Sequence, residues 1–523
     1  MQDWLAERAQ ASPEKLALIV GEQRWSYGAL NQLVNVTCAK LQAQGIQASD
    51  FVAVLLPNGL PYICLVHALA RLGAILVPLN TRLTPGELRW QIEHVGAKWL
   101  LLDKIDPELL IENCEQLIVN ETWLAQNHSF TIHNSQFTIH NYQSLVFTSG
   151  TSGRPKGVLL TFGNHFWSAN ASAYRLGIDP NDIWLSVLPL YHVGGLAVLF
   201  RSALYGTAVS LHTRFDLPSI NHDLDNNPIT LISLVPTMLH RLLQSRTFWP
   251  ASLRLILLGG AAATPELMQQ ANRLPRDRSS VNSEESIHNS QFTIHNSQLP
   301  LVAPTYGLTE AASQVATMLP ADAARKPGSA GRPLMFTSVK IVDENGEERP
   351  SHEIGEIVVT GPTVMAGYFD KNIHRGERGE HREKKTSASS ALSAVDSSIH
   401  TGDLGYLDAD GDLWIVQRRS DLIVSGGENI YPAEVEAVLR EHTAVTEACV
   451  VGIADAEWGQ RVVAMVQIAE NATVSPDELI TFCREHLAGY KIPRHIQLVE
   501  QLPLTASGKI GRQQVAEQLQ DLD

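Results

Sequence analysis

Residues 146 to 157 read Val-Phe-Thr-Ser-Gly-Thr-Ser-Gly-Arg-Pro-Lys-Gly. Small hydroxylated residues and glycines in such a run cannot pack a core. They can form a loop whose backbone N–H groups point at one anion, with Thr148, Ser149, Thr151 and Ser152 adding hydroxyl donors around Gly150 and Gly153. The apolar residues Leu145, Val146 and Phe147 predict a strand leading into that loop. The composition suits a triphosphate cradle. It is not the Walker form, which needs Gly-x-x-x-x-Gly-Lys followed by Ser or Thr. A solvated Gly/Ser linker has similar letters. Pro155 beside Lys156 argues against it, because a flexible linker has no need of a stiff proline next to a cation.

Such a loop needs a scaffold, and the first half of the chain supplies one. Phe51 to Leu56 predicts a buried strand ending at Pro57, Asn58 and Gly59, and Tyr62 to Leu72 has helical apolar spacing. Ala74 to Leu79 predicts the next strand, and the pattern recurs near Trp184, Thr230 and Leu253. Strands alternating with helices imply layered α/β architecture, with ligands at the carboxyl ends of the strands. The last hundred residues form a smaller α+β unit. In it Pro432 opens a helix with Val435, Val438 and Leu439 on one face, and Ser475 to Glu478 form a capping box before Leu479, Phe482, Cys483 and Leu487. Val462 to Ile468 predicts a strand. The expected division is an N-terminal domain over 1–419 and a mobile C-terminal lid over 420–523.

The 523 residues are too many for one core, and 44% hydrophobic with 18% charged residues is an ordinary globular balance. A formal charge of −15 argues against a nucleic-acid partner while leaving room for a local phosphate site. The five cysteines, Cys38, Cys64, Cys114, Cys449 and Cys483, form no Cys-x-x-Cys and read as reduced thiols. With no signal peptide and no long apolar span, the expectation is a cytoplasmic protein without an integral membrane segment.

Three segments fit no element. Ile132 to Asn141 and Ile287 to Asn296 carry the same ten letters, Ile-His-Asn-Ser-Gln-Phe-Thr-Ile-His-Asn. Their histidines suggest metal, but identity at every position suggests a translated nucleotide repeat inserted into surface loops, about 128–141 and 286–298. Residues of about 371–398 read as a mobile loop.

Six further patches follow the first: Pro189 to His192; Gly259, Gly260 and Ala261; Tyr306 to Glu310; Thr401 to Asp403; Arg418 to Asn429; and Pro503 to Lys509. This set in this order resembles the adenylate-forming superfamily of acyl-CoA synthetases, luciferases and peptide-synthetase adenylation domains. The resemblance implies that a carboxylate attacks the α-phosphorus of ATP, releasing pyrophosphate, and that the thiol of coenzyme A then displaces AMP. It implies that the hydroxyl-rich loop with Lys156 holds the β- and γ-phosphates, that Glu310 binds Mg²⁺, and that Thr309 reaches the α-phosphate. Tyr306 and Gly307, with Gly259, Gly260 and Ala261, would border the adenine. Asp403 would accept from the ribose hydroxyls, with Arg418 assisting, although an aspartate after Gly402 is also an ordinary turn residue. Lys509 would supply the adenylating cation. The C-terminal lobe would rotate between half-reactions, presenting the lysine on one face and the segment of Gly426 and Gly427 beside the thiol channel on the other. Gln417 and Ser420 depart from the usual glycine and hinge residue.

Leu188 to Leu196, the segment from Phe200, Thr81 to Pro85 and Gly426 to Pro432 further resemble the o-succinylbenzoate–CoA ligases of menaquinone or phylloquinone synthesis. That implies a substrate with two carboxylates, one reacting and one needing a partner. Arg201 is a candidate, since guanidinium pairs carboxylate in a bidentate fork; an arginine on a surface helix is the competing reading. His192 would face the acyl group, with Gly194 and Gly195 leaving room for a ring. The alternatives are a ligase for another aromatic or medium-chain acid, and a non-catalytic nucleotide-binding relic. A monomer and a homo-oligomer both fit.

Overall fold

Two mainly parallel sheets carry the architecture. The computed structural model describes residues 3–126, 142–148, 155–261, 263–276, 301–323, 325–370, 398–417, 422–469, 472–503 and 510–520. Both copies of the ten-letter repeat, the segment 371–397 and the expected domain boundary lie outside the described residues. Ser398, expected at the end of a loop, already belongs to the strand Ser398–Leu407.

The first sheet orders its strands Gly367–Tyr368, Lys156–Thr161, Tyr142–Thr148, Ile75–Pro78, Phe51–Leu55, Trp99–Leu102 and Glu115–Ile118. Its centre is parallel, with Val52 opposite both Leu76 and Trp99. The second sheet has nine strands, with Leu231–Leu234 between Leu255–Leu258 and Ile183–Ser186, all parallel. Near-continuous apolar runs suit this arrangement, because a parallel strand is covered on both faces.

Alternation along each strand divides the core. Val52, Val54 and Leu76 of the first sheet and Trp184, Val209 and Leu257 of the second share one cluster with the helices Tyr27–Ala43, Leu60–Leu72 and Val193–Tyr205. Those helices are sandwiched between the sheets. The outer face of the first sheet, Phe51, Ala53 and Val77, packs on Leu88 and Ile92 of the helix Pro85–Val95. The outer face of the second packs on the helices Leu217–Asn226, Pro236–Ser245 and Pro265–Arg273. The result is five layers, helix and sheet alternating. A four-stranded antiparallel sheet, from Ser338–Val342 to Leu413–Gln417, adds its own core around Ile357 and Val359.

The C-terminal unit is built as its letters suggest. Pro432 occupies the first turn of the helix Pro432–Glu441, and Ser475 and Glu478 close a capping box on the helix Pro476–His486. A three-stranded sheet of Val445–Asp455, Gly459–Ile468 and His495–Val499 has two distinct faces. One packs on those helices and on the hairpin Ile423–Ser425 with Glu428–Ile430. The other packs on Leu502, Val515 and Leu519. Among the described residues no helix is long and apolar enough to cross a membrane.

Candidate active site

The parallel strands of both sheets run out at one crevice. Asn58, just past Phe51–Leu55, is buried and knots three strand ends together. Its Nδ2 donates to the carbonyls of Leu188 (3.0 Å) and His212 (3.2 Å), and its Oδ1 accepts from the Leu190 amide at 2.9 Å. The segment carrying Tyr191 and His192 is thereby fixed at the crevice wall.

Two cavities open there. The smaller, of about 140 Å³, is lined by Thr148, Thr309, Glu310, Tyr368, Thr401 and Asp403, among others. The larger, of about 550 Å³, runs past Gly194, Gly259, Gly260 and Gly426 and ends against Arg201, Ser313 and Gln314. Tyr191, His192, Thr309 and Glu428 border both. A reaction joining the contents of the two would take place where these residues meet.

In the smaller cavity Glu310 is 7% exposed, and its Oε1 accepts from the Tyr368 hydroxyl at 2.9 Å. Its second oxygen has no hydrogen-bond partner among the described residues, which fits one carboxylate ligand to a hard cation that takes its other oxygens from phosphate and water. The Lys156 ammonium lies 5.1 Å over the Tyr368 ring. Asp403 is held by its own backbone N–H donating to Thr401 Oγ1 (3.1 Å) and by the Tyr306 hydroxyl donating to Oδ2 (2.7 Å).

Glu428 joins the lobes. From the C-terminal hairpin it reaches Arg82 (3.0 Å), the Tyr191 hydroxyl (3.2 Å) and His192 Nε2 (3.2 Å) of the large lobe. Burial pushes its carboxyl pKa up, but His192 and Arg82 outweigh that and hold it at about 2. Beside it the buried Lys491 ammonium bridges Glu87 of the large lobe (2.6 Å) and Glu434 of the small one (2.8 Å). Gly260 (φ 82°) and Gly427 (φ 85°) approach Val235 from opposite lobes, and a Cβ on either would stand 3.0 or 3.1 Å from its methyls. Only glycine accepts both the left-handed backbone and that approach.

Arg201 is not on a surface helix. It is 2% exposed, and its Nε and Nη2 have no hydrogen-bond partner among the described residues. Trp184 lies 5.7 Å from the guanidinium carbon, and burial presses its pKa down. An unpaired buried cation is costly unless an anion joins it.

Three expectations need correction. Tyr306 lines neither cavity; at 1% exposed it is a core ring whose hydroxyl orients Asp403. Ala261 lines neither cavity. Gly195 does not widen the acyl space: a Cβ there would stand 2.3 Å from the Pro189 carbonyl oxygen, so its hydrogen serves the helix–loop packing. Gly307 borders both cavities, and a Cβ on it would meet the Ser313 carbonyl. Ser149, Gly150, Thr151, Ser152, Gly153, Arg418 and Lys509 lie outside the described residues. Asn58, Arg82, Ser313, Gln314 and Lys491 were not found from sequence. Ser313 and Gln314 had a usable signal, a polar pair soon after Glu310 at a strand end. The others act through tertiary pairing that local pattern does not encode.

The family model described as AMP-binding enzyme matches residues 5–369, and AMP-binding enzyme C-terminal domain matches 434–509. A 2-succinylbenzoate–CoA ligase from Bacillus licheniformis is 39% identical, covering 98% of both chains. The fold is similar to that of a double mutant of o-succinylbenzoate CoA synthetase from Bacillus subtilis bound with a product analogue. That match has a TM-score of 0.85 at 36% identity, covering 99% of this chain and 98% of that one. The Bacillus subtilis enzyme in complex with ATP and magnesium ion scores 0.69 at 36% identity, covering 98% and 99%. The cavities, the strand-end loops and these matches agree: the chain belongs to the AMP-binding enzyme family.

Proposed function

We propose that this chain is an AMP-forming acid–CoA ligase that converts o-succinylbenzoate to o-succinylbenzoyl-CoA in menaquinone or phylloquinone synthesis. The observation that carries the choice of acid is Arg201, a buried guanidinium in the lining of the acyl cavity whose Nε and Nη2 have no hydrogen-bond partner among the described residues. A substrate with a second carboxylate would pair it, while a simple aromatic or fatty acid would leave it bare.

The smaller cavity takes the nucleotide. Asp403 receives the ribose hydroxyls, with Arg418 assisting, and Thr148 with the 149–153 loop and Lys156 receives the phosphates. Glu310 would hold Mg²⁺, which neutralises phosphate charge when bound. The reacting carboxylate oxygen forms a bond to the α-phosphorus, and the bond to the pyrophosphate oxygen breaks. Thr309 stands at the junction to steady the α-phosphate, and positioning with charge neutralisation carries the step. In the second step the CoA sulfur bonds to the acyl carbon and AMP leaves with the carboxyl oxygen. His192, held by Glu428, faces that carbon from the cavity wall. We place the domain boundary between residues 417 and 422, and the protein in the cytoplasm, in keeping with its free cysteines.

The test is a panel of acids with ATP, magnesium and CoA, read as AMP and thioester formed. o-Succinylbenzoate should give the highest kcat/KM. Arg201→Leu should raise its KM about 10- to 100-fold and leave an acid with one carboxylate nearly unaffected. Greater efficiency with another acid, or equal loss on both acids in a folded variant, would refute the assignment.

A further inference from the structure

The larger cavity has a second basic feature, at its mouth. The exposed Arg214 and Arg241 line it with Phe215, Met238 and Thr237, and Glu457 and Trp458 of the small lobe also belong to its lining. Both arginines are exposed in a chain whose net charge is −15. Neither has a carboxylate within ion-pair distance among the described residues. The Arg241 guanidinium lies 5.3 Å over the Phe215 ring, which limits its motion without using its N–H donors. Asp216 uses its carboxylate to cap the following helix through Ser219. Glu428 occupies Arg82, the remaining cation of the lining apart from the deep Arg201.

The supports are built rather than incidental. Arg214 sits two residues beyond His212. The His212 carbonyl accepts from Asn58 (3.2 Å), and its ring meets Asp223 at 2.9 Å. Arg241 shares one face of the helix Pro236–Ser245 with Thr237 and Met238, an i, i+4 arrangement that turns all three toward the cavity. Two donors with no acid of their own, fixed at the open end of an acyl cavity, suit the phosphates of a bulky anionic thiol.

Resting on the ligase reading above, we propose that Arg214 and Arg241 clamp the phosphates of the CoA nucleotide and so select CoA over uncharged thiols. Arg214→Ala with Arg241→Ala should raise the KM for CoA about tenfold or more. It should leave thioester formation with pantetheine, which lacks phosphates, within twofold. Acid-dependent ATP–pyrophosphate exchange should also stay within twofold. The double lysine variant should recover most of the loss, and rising salt should weaken CoA binding more in the unmodified protein than in the alanine variant. An unchanged KM for CoA, or equal losses on CoA and pantetheine, would overturn the clamp. Calorimetric titration of CoA separates this from the ligase reading. A protein that binds CoA through these arginines yet forms no thioester keeps the clamp and loses the ligase. One that makes thioester while the alanine variant binds CoA equally well keeps the ligase and loses the clamp.

Discussion

At Glu428 burial and charge pull in opposite directions, and charge prevails. A carboxylate 4% exposed would ordinarily prefer its neutral form, yet Arg82 and His192 hold its pKa at about 2. The sign follows from linkage. A depressed folded-state pKa stabilises the docked form above the ordinary carboxylate value, and that contribution disappears only as pH falls toward 2. Lobe docking should therefore show no titration from this group at neutral pH. Removing the charge is a different matter, since it leaves Arg82 and His192 without their counter-charge and with one acceptor oxygen in place of two at the junction of the two cavities. Glu428→Gln should slow thioester formation from supplied adenylate about 10- to 100-fold. Acid-dependent ATP–pyrophosphate exchange should stay within about threefold, because Glu310, the group expected at the phosphates, is held by Tyr368 and not by Glu428. Rapid-quench measurement of the two half-reactions checks this. Equal losses in both would show that Glu428 supports the fold rather than the second step.

Among the elements, those built from local signals were legible in the letters. The runs Phe51–Leu55 and Leu255–Leu258 are strands because four or five consecutive apolar residues bury on both faces. Pro432 and Ser475 open helices because proline and a capping serine satisfy first-turn chemistry. What sequence could not supply was partnership across distance. Tyr306 reads as a ring bordering the adenine until Asp403, 97 residues away, takes its hydroxyl. For Arg201 the letters leave a carboxylate partner and a surface-helix arginine side by side, until the two sheets close over its helix. The repeats, expected from their identical letters to be insertions, lie outside the described residues. Past the second copy, Asn272 Oδ1 accepts from the amides of Leu301 (2.8 Å) and Val302 (3.2 Å), so the strand Val302–Leu308 is anchored by the helix Pro265–Arg273 before it. Shortening the connection should thus leave the strand in place, since loop closure depends only weakly on length. Deleting 287–297 should keep kcat/KM within about twofold and the melting temperature within a few degrees. A collapse of either would show that the repeat has a structural part.

For the whole molecule, the decisive geometry is that the small lobe packs different segments on opposite sides of one sheet. The hairpin carrying Gly426, Gly427 and Glu428 packs with Ala448, Val450 and Ala464. Leu502 and Ile510, which flank the segment containing Lys509, pack on the other side with Cys449, Val463 and Met465. In the arrangement described here the hairpin face meets the crevice, and Lys491 locks it there between Glu87 and Glu434. The same relative matches far better in its product-analogue complex, at a TM-score of 0.85, than in its complex with ATP and magnesium ion, at 0.69. The adenylating cation that the family resemblance implies for Lys509 would reach the α-phosphate only after the lobe turns, so one residue should serve one half-reaction. Lys509→Ala should lower acid-dependent ATP–pyrophosphate exchange about 10²- to 10³-fold. The same variant, given synthetic o-succinylbenzoyl adenylate and CoA, should form thioester at close to the unmodified rate. Parallel loss of both steps would mean that one lobe arrangement serves the whole reaction, and the assignment of separate tasks to the two faces would fall with it.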